Sequence, residues 1–361
     1  MRLLQEMQLN LLAFESIGLV FAHSFFMEHR RNMCILQGIR QLLLLAVKFP
    51  SNLVTISFLE KWMACGISIF NRYTKSVETE DVCGGLYLKW LYYNPVGELT
   101  LNLLVKRKVT SSIFGMYMRS RRSKGKILPF IEKHGIAPES FEKDVEDFLS
   151  FDDFFSRKLK KSARPIATAD GHIISPCDGR HLIIQNSNAL PSFFVKGQKF
   201  DLYSLLIDRQ LYEHFKDGMV MISRLSPVDY HRFHFPCNCV PMQYYKINGD
   251  YFSVNPMVTK KFLKIFFQNK REVTLLKTAD VGMIAMIEIG ATFIGSIHQS
   301  FKLNEKYFIG QEKGYFSFGG STIITIFEND KVKFSDDLIK NSKDGMETYI
   351  LMGDSIAMKT K

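Results

Sequence analysis

The sequence predicts an α+β protein in which a helical N-terminal region precedes a β-rich domain with a sandwich- or barrel-like arrangement. Helix-like patterns extend as far as Pro165, and short β-type runs separated by turn residues follow from about residue 166. Hydrophobic residues make up 46% and charged residues 23% of the 361 positions, which is ordinary for a folded protein. This length suits two domains, or one large domain with an appendage.

Residues 1–68 are hydrophobic and only weakly patterned. They are predicted to be helical and associated with a membrane, although a poorly specified extension would explain the pattern equally well. Neither a clear signal peptide nor a transmembrane helix is predicted, because charged residues and Pro50 interrupt each apolar stretch before it reaches roughly 18 residues. Any membrane contact is therefore expected to be peripheral.

Residues 69–165 are predicted to form a helical, membrane-docking region. One amphipathic helix is indicated by apolar residues at steps of three and four, namely Val145, Phe148, Leu149, Phe155 and Leu159. Eight basic residues and no acid occur between Lys106 and Lys126, with apolar and aromatic residues between them. This composition suits an interfacial helix on anionic lipid, and a solvated basic face beside a buried stripe is equally compatible with it.

The net charge of +11 favours an anionic partner. Nucleic acid is not expected, because no recognisable nucleic-acid-binding module is present. The six cysteines are irregularly spaced, which suits a reducing compartment rather than a disulfide framework.

Residues 166–361 are predicted to form the β-rich domain. The runs that predict its strands are His172–Ser175, Met219–Leu225, Val240–Ile247, Met283–Glu288, Ala291–Ile297 and Thr322–Phe327. The last run follows Gly319-Gly320-Ser321. These glycines permit a tight turn before a hydroxyl group, where a chain can attack its own peptide bond, but a plain hairpin turn fits the same residues.

Two further places in this domain could take part in chemistry. Asp178 lies in a Pro/Gly turn, where a turn-capping role is the simple alternative. His231 and His234 are three apart in an extended segment, so their side chains should point to opposite faces and have different roles. An Asp, a His and a Ser can form a nucleophilic system in which the Asp orients the His and the imidazole deprotonates the Ser. Any chain of this length contains all three residue types, so the residues alone are a weak signal.

A zinc site is a competing interpretation of the same segment. The segment offers four potential zinc ligands within nine residues, namely His231, His234, Cys237 and Cys239. The spacing argues against zinc, because structural sites usually draw two ligand pairs from separated knuckles. No metal is therefore predicted.

Several segments occur together in a fixed order from about Asn71 to the C-terminus. They are Tyr93–Gly97, Val105–Lys108, Phe151–Leu159, Ala163–Ile166, Ser175–Gly179, Asp229–His234, Tyr251–Pro256, Gly290–Thr292, Gly295–Ile297 and Lys313–Thr322. In this combination the chain resembles the phosphatidylserine decarboxylases, pyruvoyl-dependent membrane enzymes, of the bacterial type with a Gly-Gly-Ser-Thr processing motif. Residues 1–68 have no counterpart in the resemblance, and Cys177 stands where the family often has a small residue or glycine.

The resemblance implies a proenzyme that cuts itself between Gly320 and Ser321 into a β chain of residues 1–320 and an α chain of residues 321–361. Ser321 would attack the carbonyl of Gly320, with His234 as general base oriented by Asp178, and would become a covalent pyruvoyl group. This cofactor would form a Schiff base with phosphatidylserine and act as the electron sink for decarboxylation to phosphatidylethanolamine and CO2. His231 would assist decarboxylation or protonation, and the two histidines could exchange roles.

The resemblance also implies partners and a location. The α and β chains would form a heterodimer, with a higher oligomer also compatible, and the enzyme would be peripheral on the cytoplasmic side of the cell membrane. A lipid-binding protein of the same fold that no longer processes itself is the alternative. The presence of Asp178, His234 and Ser321 argues against it.

Overall fold

The computed structural model describes residues 66–81, 92, 115–185, 200–260, 262–291, 296–318 and 321–360. The predictions for residues 1–65, for the basic residues before position 115 and for Gly320 lie outside the described residues. All described residues belong to the unit Cys65–Lys361.

The described part of the chain is mixed α/β and rich in strands. The strands are β1 Gly66–Asn71, β2 Ser76–Asp81, β3 His172–Ile174, β4 Gly179–Ile184, β5 Met219–Leu225, β6 Arg232–His234, β7 Cys239–Ile247, β8 Arg271–Thr278, β9 Met283–Ile289, β10 Ile297–Gln299, β11 Glu312–Phe316, β12 Ser321–Phe327, β13 Val332–Phe334, β14 Glu347–Ile350 and β15 Ser355–Lys359. The α-helices are α1 Ile127–His134, α2 Phe151–Phe155, α3 Leu202–Leu206, α4 Arg209–Phe215, α5 Pro256–Thr259, α6 Ile265–Gln268 and α7 Asp336–Lys343.

A nine-stranded sheet forms the centre of the described residues, in the order β2-β1-β14-β4-β5-β12-β9-β8-β7. Its pairings are antiparallel except for β1 with β14. Two three-stranded sheets accompany it, β10-β11-β6 and β13-β15-β3. The predicted β-rich domain is thus confirmed, and β12 lies in the interior of its main sheet.

The interior strands of the main sheet, such as β5, β9 and β12, are buried on both faces because their residues alternate between two hydrophobic cores. On β12, Ile324 and Ile326 join a core with residues of α3, α4, α5 and α6. Ile323 and Phe327 face the other core, which residues of β6, β10, β11, β13 and β15 complete. By this period of two, Ser321 lies on the same face as Ile323.

The prediction that residues 69–165 are helical is wrong at its start. β1 and β2 form a hairpin that joins the main sheet through β14. Its turn is stabilised by Asn71, whose Oδ1 accepts a hydrogen bond from the backbone N–H of Tyr73 at 2.9 Å. Pairing with a strand almost 280 positions later is a tertiary interaction, which the local pattern did not indicate.

The single amphipathic helix predicted over residues 145–159 is also wrong. A 3₁₀ turn covers Val145–Asp147, and α2 begins only after Ser150. Ser150 has extended backbone angles and its side chain accepts a hydrogen bond from the Asp153 N–H, so it starts a new helix instead of continuing one. Leu149 is consequently exposed, whereas Phe148 is buried in an aromatic cluster with α1 and α2.

Among the described residues, no helix is both long and apolar enough to cross a membrane.

Candidate active site

Ser321 is the first residue of β12, an interior strand of the main sheet. Its Cα is paired with Leu225, the last residue of β5. Gly179, the first residue of β4, lies against the backbone of Arg224 and Leu225. Strands β4, β5 and β12 are therefore adjacent and begin or end at the same end of the sheet. Adjacent strands are about 4.8 Å apart. This register brings the turn that carries Asp178 and the loop that carries His231 to the end of β12 where Ser321 lies.

The Ser321 side chain is fully buried, and among the described residues its Oγ has no hydrogen-bond partner. Leaving a buried hydroxyl without a partner costs about 1–3 kcal/mol. An alanine at this position would avoid that cost. The hydroxyl therefore makes no stabilising hydrogen bond among the described residues, and the same holds for Thr322 and Thr325 on this strand. What distinguishes Ser321 is its place directly after two glycines, which favours a chemical role.

His231 presents a free basic nitrogen inside the protein. Its Nδ1 lies 2.9 Å from the carbonyl oxygen of Asp229, and a carbonyl can only accept, so Nδ1 carries the proton and Nε2 the lone pair. Nε2 is buried and has no partner among the described residues. The ring packs on Phe155 with a centroid separation of 3.8 Å. Burial and, to a smaller extent, the nearby arginines lower the pKa of His231 to about 3, so the imidazole is neutral near pH 7.

His234 lies at the end of β6 in different surroundings. Its ring stacks on Tyr230 with the centroids 5.7 Å apart, and its buried Nδ1 has no partner among the described residues. Burial lowers the pKa of His234 to about 4, while the negative charges of Glu312 and Asp178 oppose that shift. The two histidines therefore have distinct environments, and both are neutral near pH 7.

Asp178 does not make a hydrogen bond to His234 in this structure. Its carboxylate accepts a bond from Arg164 Nε at 2.8 Å and one from the backbone N–H of Met352 at 2.8 Å. The backbone N–H of His234 donates to the Pro176 carbonyl, two residues before Asp178, at 2.8 Å. Asp178 and His234 are therefore neighbours, and their interaction is electrostatic. Neither bond of the carboxylate lies within its own turn, so Asp178 does not act as a simple turn cap.

A buried network of ion pairs holds the loop that carries His231. Asp229 forms an ion pair with Arg180 and accepts a hydrogen bond from the Ser226 N–H at 2.6 Å. Glu80 contacts both Arg180 and Arg224, at 3.2 and 2.6 Å. These bonds fix the path of residues 226–231 between β5 and β6. Sequence reasoning missed this network, because its members come from β2, β4, β5 and a loop that are distant in the sequence.

Arg164 and Asp152 are also residues that sequence reasoning missed. In the sequence Arg164 stands beside Pro165 at the end of the predicted helical region, whereas in the structure it forms an ion pair with Asp178. Asp152 accepts a hydrogen bond from the backbone N–H of Phe318, three residues before Ser321. The only signal for either residue was its occurrence in a segment that carried the family resemblance.

The zinc interpretation finds no support in the geometry. Within the part of the chain that the structure describes, no group of three or more His, Cys, Asp and Glu side chains is arranged to hold a metal ion. Cys237 and Cys239 are buried as thiols, and burial raises the pKa of Cys239 to about 12.

Comparison with known proteins agrees with this arrangement. The family model described as phosphatidylserine decarboxylase matches residues 151–358. A phosphatidylserine decarboxylase proenzyme of Fusobacterium nucleatum is 45% identical over 288 residues, which cover 80% of this chain and 96% of the relative. A proenzyme of the same name from Clostridium botulinum is 42% identical over 293 residues, which cover 81% of this chain and 99% of the relative. The buried Ser321 is the first residue of an interior strand of the main sheet. On the similarity to these relatives and to the family model, the chain belongs to the phosphatidylserine decarboxylase family.

Proposed function

We propose that this protein is a proenzyme that cleaves itself between Gly320 and Ser321 and that the mature enzyme acts at an anionic membrane surface. The overall reaction follows from the family: the chain is a pyruvoyl-dependent decarboxylase that converts phosphatidylserine to phosphatidylethanolamine and CO2. The observation that carries the cleavage proposal is the buried Oγ of Ser321, which has no partner among the described residues and directly follows two glycines in the sequence.

Self-cleavage begins with the hydroxyl of Ser321. Its proton passes to a neutral imidazole, assigned to His234, while Oγ attacks the carbonyl carbon of Gly320. The C–N bond then breaks, the amide nitrogen takes up the proton, and an ester joins the two residues. Loss of the Cα proton and cleavage of the Cβ–O bond release the Gly320 carboxylate and leave dehydroalanine at position 321. One water molecule hydrolyses that group, ammonia departs, and a pyruvoyl group remains.

Serine is the residue type that this sequence of steps requires. Alanine has no nucleophile, and threonine would leave an extra methyl group on the keto acid. The two glycines before Ser321 carry no Cβ atoms that would hinder the tetrahedral intermediate.

The surroundings of Ser321 fit a small covalent keto group. The side chain faces a core containing Phe233, Phe316 and Leu225, which excludes water. When formed, the pyruvoyl group supplies a ketone that condenses with the substrate amine and withdraws electrons as CO2 leaves. We assign His231 to proton transfer at the product carbon: its buried Nε2 carries a lone pair that no described residue occupies, so it can take up a proton from solvent and pass that proton on to the carbon.

Asp178 is assigned to the orientation of His234 through its charge. The carboxylate favours the protonated imidazole, which is the form that His234 takes while it holds the serine proton. Arg164 neutralises part of that charge and fixes the carboxylate in place.

The described end of the basic segment supports docking on an anionic membrane. Arg119, Arg121 and Arg122 are exposed. Met116 and Leu128, which are near them in the sequence, expose 58% and 54% of their surfaces, and Leu149 exposes 60%. Basic residues attract anionic headgroups, and exposed apolar side chains insert between them. A peripheral location on the cytoplasmic side of the cell membrane remains part of this proposal.

Denaturing electrophoresis and intact-mass measurement of the purified protein test the cleavage. We expect a β chain of residues 1–320 and an α chain of residues 321–361 whose N-terminus is blocked by the pyruvoyl group. Ser321→Ala should give one full-length chain without activity. A wild-type chain that persists uncleaved would contradict the proposal and favour a lipid-binding protein that no longer processes itself.

A further inference from the structure

We propose that helix α2 anchors the segment just before the scissile bond, and that Asp152 and Phe155 are positioning residues for self-cleavage. This inference rests on the proposed cleavage between Gly320 and Ser321. It concerns the chain upstream of the bond, which the assignment of a nucleophile and a base leaves unexplained.

Phe318 is the residue that α2 holds. Its backbone N–H donates to Asp152 Oδ1 at 2.7 Å, across 166 positions of sequence. Its ring meets the rings of Phe151 and Phe155 edge to face, with centroid separations of 5.2 and 5.0 Å. A hydrogen bond to a carboxylate and two aromatic contacts thus fix both the backbone and the side chain of one residue.

An anchor at this position has a mechanical purpose. Only Gly319 and Gly320 separate Phe318 from Ser321, and glycine has more backbone freedom than any other residue. Ser321 is fixed on the downstream side by its pairing in β12. With Phe318 fixed on the upstream side, the carbonyl of Gly320 has few positions available. Restricting the approach of Oγ to that carbonyl lowers the entropic part of the barrier.

Helix α2 is itself held firmly enough to serve as an anchor. The Ser123 Oγ accepts a hydrogen bond from the Phe151 N–H at 2.9 Å and donates to the Met118 carbonyl at 2.7 Å. Ser150 caps the helix through the N–H of Asp153. Asp152 therefore projects from a helix whose first turn is tied to the preceding segment at two points.

Phe155 connects this anchor to the histidines. The Phe155 ring contacts the ring of Phe318 and also the ring of His231, whose centroid is 3.8 Å away. The same short helix thus contacts the scissile segment and a candidate proton carrier. A change in α2 should consequently affect the geometry of cleavage before it affects the stability of the main sheet.

The test is the rate of self-cleavage of newly translated full-length chain, followed by pulse labelling and denaturing electrophoresis. Asp152→Ala should slow cleavage at least about tenfold, since about 1.4 kcal/mol of lost positioning corresponds to that factor. Asp152→Asn keeps an acceptor oxygen and should remain within about threefold of wild type. Turnover per pyruvoyl group in the mature fraction of Asp152→Ala is measured alongside, so that slow processing is distinguished from damage to the mature site.

Asp153→Ala is the matched control. It removes a carboxylate from the same turn of α2, but that carboxylate contacts Leu149 N–H and Lys143 instead of the scissile segment. Equal slowing by this control, or cleavage of Asp152→Ala at the wild-type rate, would overturn the inference. If Asp152→Ala is insoluble, Phe318→Ala decides: slow cleavage supports the anchor and normal cleavage refutes it. A wild-type chain that fails to cleave would refute the proposed function itself.

Discussion

At the scale of single residues, the site is defined by polar groups that are buried without partners. Ser321 Oγ, His231 Nε2 and His234 Nδ1 all lack hydrogen-bond partners among the described residues. Folded proteins satisfy most buried polar atoms, and here Thr322 Oγ1 and Thr325 Oγ1 on β12 lack partners as well. Ser321 and the two histidines differ from them in carrying groups that can act as a nucleophile and as bases. Their retention is explained if each takes part in chemistry for which it must be free.

The lowered pKa of His234 predicts how cleavage depends on pH. The free imidazole is already neutral above about pH 4, so titration of this base should not alter the rate. We expect a flat cleavage rate between about pH 5.5 and 8, measured on newly translated chain. An inflection of the wild-type cleavage rate near pH 6.5 would contradict this and show that the base titrates as if it were solvated.

Buried histidines also predict how stability depends on pH. Burial lowers the pKa of His181 to about 3, whereas an unfolded histidine titrates near 6.5. Below about pH 6.5 the unfolded chain therefore binds a proton that the folded chain excludes, and stability falls as the pH falls toward 3. Each such histidine contributes a slope of about 1.4 kcal/mol per pH unit.

Urea unfolding of the uncleavable Ser321→Ala chain measures this slope. Adding His181→Gln should reduce the dependence of the unfolding free energy on pH by about one proton between about pH 5.5 and 4. An unchanged slope would mean that His181 is protonated in the folded protein.

At the scale of elements, one helix ends in a strained conformation. Ile207 follows α3 with φ 52° and ψ 32°, the left-handed region, and 59% of its surface is exposed. Left-handed geometry costs a residue with a Cβ about 1–2 kcal/mol, and β-branching adds to the crowding. Exposure means that Ile207 gains little burial energy in return.

Ile207→Gly is accordingly expected to stabilise the protein by about 1 kcal/mol, because glycine adopts this conformation without a steric penalty. Chemical denaturation in the Ser321→Ala background gives the change in unfolding free energy. Ile207→Ala is the control and should gain less, since alanine retains the Cβ atom. A destabilised glycine variant would show that Ile207 makes contacts that outweigh its strain.

At the scale of the whole molecule, the net positive charge supports the proposed docking on an anionic membrane. Arg119, Arg121 and Arg122 follow Met118 in the sequence, and Met118 packs in the same hydrophobic cluster as α2. Helix α2 also contacts Phe318. The surface proposed to meet the bilayer and the proposed active site are therefore close in the fold. A substrate with two acyl chains would need such closeness, because it stays in the bilayer while its headgroup enters the site.

Vesicle flotation tests this surface. Changing the three arginines to Glu should weaken binding to vesicles containing phosphatidylglycerol at least about tenfold, since each basic residue near an anionic surface contributes about 1 kcal/mol. Neutral phosphatidylcholine vesicles should show little difference. The control changes Lys331, Lys333 and Lys340 to Glu, which alters the net charge equally at exposed positions elsewhere. Equal weakening by the control would refute a specific docking surface.

The sequence by itself determined the features that depend on neighbouring residues. The run Met219–Leu225 was predicted with the bounds that β5 has, and the run after Ser321 became β12. Apolar β-branched residues bounded by glycine specify a strand locally, so these elements needed no tertiary information. The Gly-Gly-Ser turn and the histidine pair likewise stood out from local pattern, although their roles came from family resemblance.

Only the tertiary structure decided which side chains meet. In the fold Asp178 forms an ion pair with Arg164, and Asp152 accepts a hydrogen bond from the backbone N–H of Phe318. The β1–β2 hairpin pairs with β14. These contacts link residues whose local patterns are compatible with many partners, since charge and hydrogen-bonding capacity do not specify a distant counterpart. Folding selects among those partners because buried charges and backbone groups must be satisfied at the same time as the core is packed. The chemistry of Ser321 was therefore suggested by its neighbours in sequence, whereas its positioning depends on residues that only the fold brings near.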